Sequence, residues 1–471
     1  MKILSKDGRE KELNKEALDS LRLRLKGPML LPGDAGYEDS RTIWNAMIDK
    51  KPAFVVKCLG TADVIECVNF ARQNDILLCI KGGGHNIAGL AIADGAMLLD
   101  MSLMRGVWVD KENKIAHAQA GCLLGDLDRE TQLHGLAAVL GFISQTGIAG
   151  LTLGGGFGYL TRRWGWTADN LIGIDVVTSD GKLVRASDEK NPDLFWGMRG
   201  GGGNFGVATG FDYKLHPVGP EIVGGLVAWP ISEAGKVLEL YRLQAESAPP
   251  ELTLVAIIRP APPAPWLPAE WHGKMIVAIL ACYTGDPAEG EKIVAPIKSF
   301  GKPIGDVLTR RPYAQLQSML DTTQPDGRHN YWKSEYLSKI EPELCDNIIK
   351  HSQNVPSPHS VLALFQLGGA LNKLSDDHSP VGNRSARYVF NAIGSWEKSD
   401  ADEINVKWVR NVWNDVKKFS TGGVYLNFLS EDEGQDRVDA ALGGAVKRLA
   451  EIKKKWDPDN MFRTNRNIKP A

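Results

Sequence analysis

Three glycine tracts fall within the first 206 residues: Gly82-Gly83-Gly84, the run from Gly147 to Gly158 (GIAGLTLGGGFG), and Gly200-Gly201-Gly202-Gly203-Asn204-Phe205-Gly206. Glycine is 50 of 471 residues, about 11% against a usual figure of about 7%. The clustering constrains the fold more than the count does. Glycine costs chain entropy wherever it is ordered, so dense tracts mark places where backbone approaches something closely. Such loops present N–H groups to phosphate or pyrophosphate, and this half of the chain is expected to bind a long, phosphate-bearing molecule.

The pattern around the first tract is that of a strand–helix–strand unit. Residues 53–58 (AFVVKC) form a β-branched run, and Thr61 is expected to cap a helix with Val64, Ile65, Val68 and Ala71 at helical spacing. Residues 76–80 (ILLCI) read as the next buried strand, running directly into Lys81-Gly82-Gly83-Gly84-His85. Further strands are expected at 96–100 and 114–119, and a helix at 124–133. From about residue 216 the texture changes. A Pro- and Trp-rich segment, 259–273 (RPAPPAPWLPAEWHG), reads as an exposed loop or lid edge. Strand candidates (275–283, 359–367) and helices (286–299, 336–351) surround it, indicating an α+β region with an antiparallel sheet. A last helix is expected near 436–455.

Several function classes drop out. Gly201-x-Gly203-x-x-Gly206 matches the dinucleotide fingerprint as a string, but the β-like Val207–Leu215 follows where that motif needs a helix. No Gly-Lys pair is followed by Ser or Thr, and neither GxSxG nor HExxH occurs. Lys+Arg 55 against Asp+Glu 57 leaves a net charge of −2, which advertises no surface for nucleic acid. No window approaches ~18 apolar residues, so no membrane span is expected. The charged N-terminus lacks the apolar core of a secretory signal. The six cysteines show no metal spacing and are expected to be buried free thiols in the cytoplasm, which makes the Asn383-Arg384-Ser385 sequon incidental.

His85 is the most informative single residue. It closes a Gly-Gly-Gly loop and precedes Asn86, so it either ligates, polarises or covalently holds a cofactor, or is an ordinary turn histidine. Lys81-Gly82-Gly83-Gly84-His85-Asn86 resembles the Arg-x-Gly-Gly-His loop of the berberine-bridge-enzyme-like FAD-linked oxidases, in the vanillyl-alcohol-oxidase flavoprotein superfamily. The resemblance continues through Gly150–Gly158, Asp169-Asn170, Asp193-Leu194-Phe195-Trp196, Arg199-Gly200 and Asn204-Phe205-Gly206. It ends on Asp457-Pro458-Asp459-Asn460-x-Phe462-Arg463-x-Asn465-x-Asn467-Ile468. The ordered set runs from about residue 28 to the end.

The resemblance implies an α+β, two-domain PCMH-type FAD-binding fold with an inserted α+β substrate domain carrying an antiparallel sheet. Residues 1–215 and the return 425–471 would hold FAD, and 216–424 the substrate. It implies attachment of the flavin 8α-methyl to His85. Lys81, Gly82, Gly83, Gly84, Asn86, Gly147, Gly150, Leu151, Gly154, Gly155, Gly158, Asp169, Asn170, Val207, Asn465 and Asn467 would surround the cofactor. Many relatives attach the flavin a second time through a cysteine; Ile143 stands at that place, so a single histidyl bond is expected, as in bacterial members of the family. Lys81 replaces the usual Arg, keeping the charge but losing the bidentate fork.

A third departure bears on mechanism. Relatives that oxidise alcohols often use the last tyrosine of a Tyr-x-Asn-Tyr strand as base, and here Tyr425-Leu426-Asn427-Phe428 ends on Phe428. On a strand Tyr425 would point away from Phe428. Substitute bases are sought at Tyr331 and Lys333, which share a strand face. Phe365, Phe390 and Phe428 are candidates for an apolar pocket wall or for ordinary core. The implied activity is oxidation of a small organic molecule, an amine or N-heterocycle or an alcohol or sugar, by hydride transfer to flavin. Reoxidation by dioxygen gives hydrogen peroxide; Thr146 falls where relatives control oxygen access. A dehydrogenase with another acceptor, a natural-product cyclase of the same fold, and a ligand-binding protein without catalysis are the alternatives. The protein is expected to be a monomer or homo-oligomer.

Overall fold

The computed structural model describes residues 1–471. Near the N-terminus, strands Phe54–Lys57, Met97–Asp100 and Leu78–Lys81 lie parallel in that spatial order, with Met29–Leu30 antiparallel on the outer edge. The helix between the first two strands in sequence, Thr61–Gln73, buries Val64, Cys67, Val68 and Ala71 along one stripe. Gly60 rather than Thr61 is its N-cap. A second, antiparallel sheet follows in the order Leu183–Ala186, Leu171–Val177, Val207–Lys214, Ile115–Gln119, Val107–Asp110. The strand at Val207 confirms that the third glycine tract does not open a Rossmann helix.

Residues 221–396 build an eight-stranded antiparallel sheet. Its order is Gly305–Asp306, Glu221–Pro230, Met275–Tyr283, Leu252–Pro260, Val361–Gln366, Tyr388–Trp396 and His329–Leu337, with Thr309–Pro312 also on Glu221–Pro230. Helices Ala234–Ser247, Pro287–Lys298, Pro342–Ser352 and Asp402–Val416 cover one face through a continuous core that includes Leu254, Ala256, Ile258, Phe390 and Val409. The stretch expected to be helical from 336 begins instead as the end of strand His329–Leu337, and the helix starts at Pro342, which suits a first helical turn. The α+β architecture agrees with the one inferred above. No helix is long and apolar enough to cross a membrane. All six cysteines are free, five of them buried and Cys345 half-buried.

The last 48 residues rejoin the first half: Val424, Leu429, Leu449, Phe462 and Ile468 pack in one core with Phe195, Phe205 and Val207. This return is fixed by Lys453, in helix Val446–Trp456. Its Nζ reaches Asp457 at 2.5 Å and donates to the carbonyls of Asn204 (2.6 Å) and Phe462 (2.9 Å). Asp457 also accepts the N–H groups of Met461 (2.8 Å) and Phe462 (2.9 Å), and neither side chain of the pair is exposed. Removing one partner leaves a buried charge without compensation, at a cost of about 3–5 kcal/mol. Asp457→Ala is therefore expected to lower the thermal midpoint and open the tail to limited proteolysis, whereas Asp459→Ala, outside this network, should do neither.

Candidate active site

A cavity of about 1130 Å³ runs between the glycine-rich half and the uncovered face of the large sheet, more than an ordinary small-ligand pocket of roughly 300–1,000 Å³. Its floor begins where strand Leu78–Lys81 ends. The N–H groups of Gly82 through Asn86 find no acceptor within the chain. Gly83 and Gly147 meet backbone to backbone, so that a Cβ on either would collide with the other's nitrogen. At Gly150 and Gly203 a Cβ would meet nothing, because both open onto the cavity. Asn465 donates Nδ2 to the Gly203 and Phe462 carbonyls (both 3.1 Å), while its buried Oδ1 has no partner. Unpaired donors on a glycine floor, beside an orphaned amide oxygen, suit an elongated molecule carrying a pyrophosphate and a polar ring.

His85 sits on this wall with its ring stacked on Trp44 (5.4 Å between centroids, 15° between planes) and no hydrogen-bond partner. Burial pushes its pKa down to about 4, with Asp326 opposing. The imidazole is neutral at pH 7 and keeps a nitrogen lone pair, as a nucleophile requires. Ile143, Thr146, Leu151, Gly154, Val207 and Asn86 also line the cavity, and no cysteine or carboxylate does.

Several expected cofactor residues serve the scaffold instead. Lys81 turns away from the cavity to the Ser40 carbonyl and lies 3.4 Å from Asp100, both side chains buried; strand alternation sends it behind the loop. Asp169 forms a bidentate pair with Arg384 (2.7 and 2.9 Å), which ties the glycine half to residues 376–384. Asn170 donates to the Trp164 and Trp166 carbonyls and accepts from His216 (2.7 Å). Gly155 and Gly158 pack against Val381 and the Leu140 carbonyl rather than the cavity. Asn467 has an orphaned buried oxygen but is off the cavity wall.

The opposite wall is a box of rings. Phe365 lies 5.1 Å from Phe142 and 5.6 Å from Phe157; Phe428 lies 4.9 Å from Tyr425 and 5.3 Å from Trp332. Tyr425 and Phe428 are neighbours, not opposed, because Leu426–Phe428 is a turn of 3-10 helix and strand alternation does not apply. The Tyr425 hydroxyl accepts from Gly156 N–H and Asn427 Nδ2 (both 2.9 Å), and burial raises its pKa. Tyr331 and Lys333 share a strand face, but it is the helix-covered one. Tyr331 bonds Asp432 (2.7 Å), Lys333 bonds Asp432 (3.0 Å), and Trp332 between them faces the cavity. Phe390 is likewise on the helix side. Sequence reasoning missed Trp44, Trp332, Asn391 and Arg259. For Arg259 the signal was present: Val255, Ile257, Arg259 and Ala261 alternate onto the cavity.

Comparison with known proteins agrees with this geometry. A family model described as "FAD binding domain" matches residues 52–187, and one described as "Berberine and berberine like" matches 424–469. An FAD-linked oxidoreductase of Dictyostelium discoideum is 31% identical over 95% of both chains. The (R)-6-hydroxynicotine oxidase of Paenarthrobacter nicotinovorans is 28% identical over 95% of this chain and 98% of that one. The crystal structure of 6-hydroxy-D-nicotine oxidase from Arthrobacter nicotinovorans superposes with a TM-score of 0.84 at 24% identity, over 95% of this chain and 99% of the other. Fold and site thus define a PCMH-type flavoprotein oxidoreductase. The chain belongs to the berberine-bridge-enzyme-like family of FAD-linked oxidoreductases.

Two outcomes follow. Gly83→Ala pushes a Cβ into rigid backbone and is expected to lower flavin content at least about tenfold and the thermal midpoint with it; absorbance at 450 nm against 280 nm checks this. His216 stacks on Trp164 (4.3 Å) and has its pKa pushed down to about 4, by burial first and then by Lys214, Arg163 and Lys114. The unfolded chain takes up this proton near the ordinary pH 6.5 and the folded one only near 4, so stability falls as pH drops through that window. Urea titrations at pH 7 and pH 5 should show the loss, reduced in His216→Gln.

Proposed function

We propose that the protein oxidises a small amine or N-heterocycle in preference to an alcohol, with FAD attached by one bond to His85. The observation that carries this reading is the wall between His85 and Phe428, which holds aromatic rings and no carboxylate. Bound FAD supplies the redox chemistry, taking a hydride from a substrate carbon and passing electrons to dioxygen, with hydrogen peroxide as product, or to another acceptor.

The chain's own residues do the rest. The unpaired N–H groups of Gly82–Asn86 hold the pyrophosphate, Asn465 offers its free oxygen to the ring system, and neutral His85 provides the attachment point. Ile143 cannot form a thioether, so the attachment is single. An alcohol needs its O–H proton removed as the hydride leaves. Tyr425 keeps its own proton because burial disfavours the phenolate, and Phe428 has none to exchange. An amine bound neutral needs no base, because its lone pair stabilises the positive charge that develops on carbon. The ring box excludes water and orients such a substrate by its faces. Thr146, near valine in size, leaves room for dioxygen. Residues 1–215 and 425–471 hold the cofactor and 216–424 the substrate, and the six free thiols suit a reducing cytoplasm.

Acid precipitation should leave a yellow pellet for the wild type and a colourless one for His85→Ala. In anaerobic titrations, secondary amines should bleach the flavin at least about a hundredfold faster than benzylic alcohols or sugars. Phe428→Tyr should narrow that gap by speeding alcohols. Faster bleaching by alcohols in the wild type would overturn the amine reading, and a colourless folded protein that takes up no FAD would overturn the cofactor.

A further inference from the structure

The cavity-facing side of the large sheet is apolar from strand to strand: Val255, Ile257, Ile276, Ala278, Val361, Ala363, Phe365 and Ile393. Two polar residues interrupt it. Asn391 is wholly buried, and neither atom of its amide has a partner. Arg259, next in the alternation after Ile257, makes one hydrogen bond, from Nε to the Pro260 carbonyl (3.1 Å), so its two terminal nitrogens are free. Arg328, at the head of the strand that carries Trp332, also lines the cavity and bonds only the Thr323 carbonyl (3.2 Å).

No carboxylate pairs with either guanidinium. The charge acting on Arg259 is Arg328 itself, and Glu397, the acid nearest in effect to Arg328, is bonded to His359 (2.9 Å). His359 lines the same end of the cavity and feels both arginines. Burial and this mutual repulsion push the Arg259 pKa down to about 10. Two guanidinium groups lining one apolar cavity, neither of them bonded to a carboxylate, carry unspent charge and hydrogen-bonding capacity, and a bound anion takes up both. A guanidinium fork matches a carboxylate in shape and charge.

Building on the oxidase reading, we propose that Arg259 and Arg328 form an anion subsite, and that the substrate is a carboxylate with an apolar or aromatic body. The body would lie along the sheet face, a polar atom would meet Asn391, and the carboxylate would sit at the arginine end, away from the oxidised carbon. The arginines bind and orient; they take no part in the redox step.

The test uses the flavin-loaded protein and probes that need no turnover: benzoate, 3-phenylpropanoate and 4-phenylbutanoate, each paired with its primary amide. Binding is read by tryptophan fluorescence, to which Trp44 and Trp332 contribute, and by calorimetry. At least one acid should bind about tenfold or more tightly than its amide, the difference a charge-assisted pair supplies. Arg259→Met should abolish that preference, Arg259→Lys should keep part of it, and Arg328→Gln should reduce it. If no acid outbinds its amide, or Arg259→Met leaves the preference intact, the proposal is overturned. It is also overturned if Arg259→Met lowers flavin content while the preference stays, since the pair would then serve the cofactor's phosphates. Because binding is read without catalysis, an acid preference in a protein that oxidises nothing would separate failure of the oxidase reading from failure of the subsite.

Discussion

Gly83 and Gly147 touch backbone to backbone, and the cavity has its shape because nothing larger than hydrogen separates them. The contact brings the loop after strand Leu78–Lys81 against the entry to helix Ile148–Leu153 and leaves the loop's N–H groups without partners in the chain. Five consecutive half-buried donors on a cavity wall, with no partner in the chain, are available to an acceptor from outside. The same logic explains Asn465, whose Nδ2 is spent on holding the tail to Gly203 while its oxygen is left over.

The site therefore depends on segments nearly 400 residues apart, and the Lys453–Asp457 pair is what keeps the far one in place. Its charges are neutralised locally and its remaining hydrogen-bonding capacity goes to backbone of the third glycine tract and of the tail itself. Asn204 completes the join by accepting the Ile468 N–H (2.9 Å). A polar network with every member satisfied specifies one arrangement and penalises alternatives.

The glycine tracts and the late change to an antiparallel sheet were legible because each follows from a local rule: no Cβ at a close approach, or period two along a strand. The misreadings share a cause. Lys81, Asp169 and Asn170 belong to motifs that accompany the cofactor site, but a motif does not reveal which members face the ligand and which brace those that do. Tyr331 and Lys333 were paired on one face, and only the helices Pro342–Ser352 and Asp402–Val416 decide that this face is the covered one. Tyr425 was placed by strand alternation in a segment that turns as 3-10 helix. Arg259 went unnoticed because 259–273 was read as an exposed loop from its prolines, whereas strand Leu252–Pro260 carries Arg259 onto the cavity wall.

His85 and the arginine end of the cavity are positioned by one short segment, Trp44–Ala46. Trp44 stacks on His85, meets Trp332 edge-on at 5.4 Å and donates Nε1 to the Gln324 carbonyl (3.0 Å). Asn45 donates to the Ile87 carbonyl (2.8 Å) and the Asn330 carbonyl (2.9 Å), and accepts the Asn330 N–H (2.9 Å). Ala46 N–H closes on the Arg328 carbonyl (2.9 Å). The wholly buried amide of Asn45 thus spans the glycine half and the large sheet, fixing the head of the Trp332 strand relative to the His85 loop. Because both ends of the cavity are referred to the same three residues, the backbone of the His85 loop and that of Arg328 are held at a separation set by the scaffold. The two ends of the cavity are thereby fixed relative to each other by the frame itself, which is pre-organisation for whatever the cavity binds.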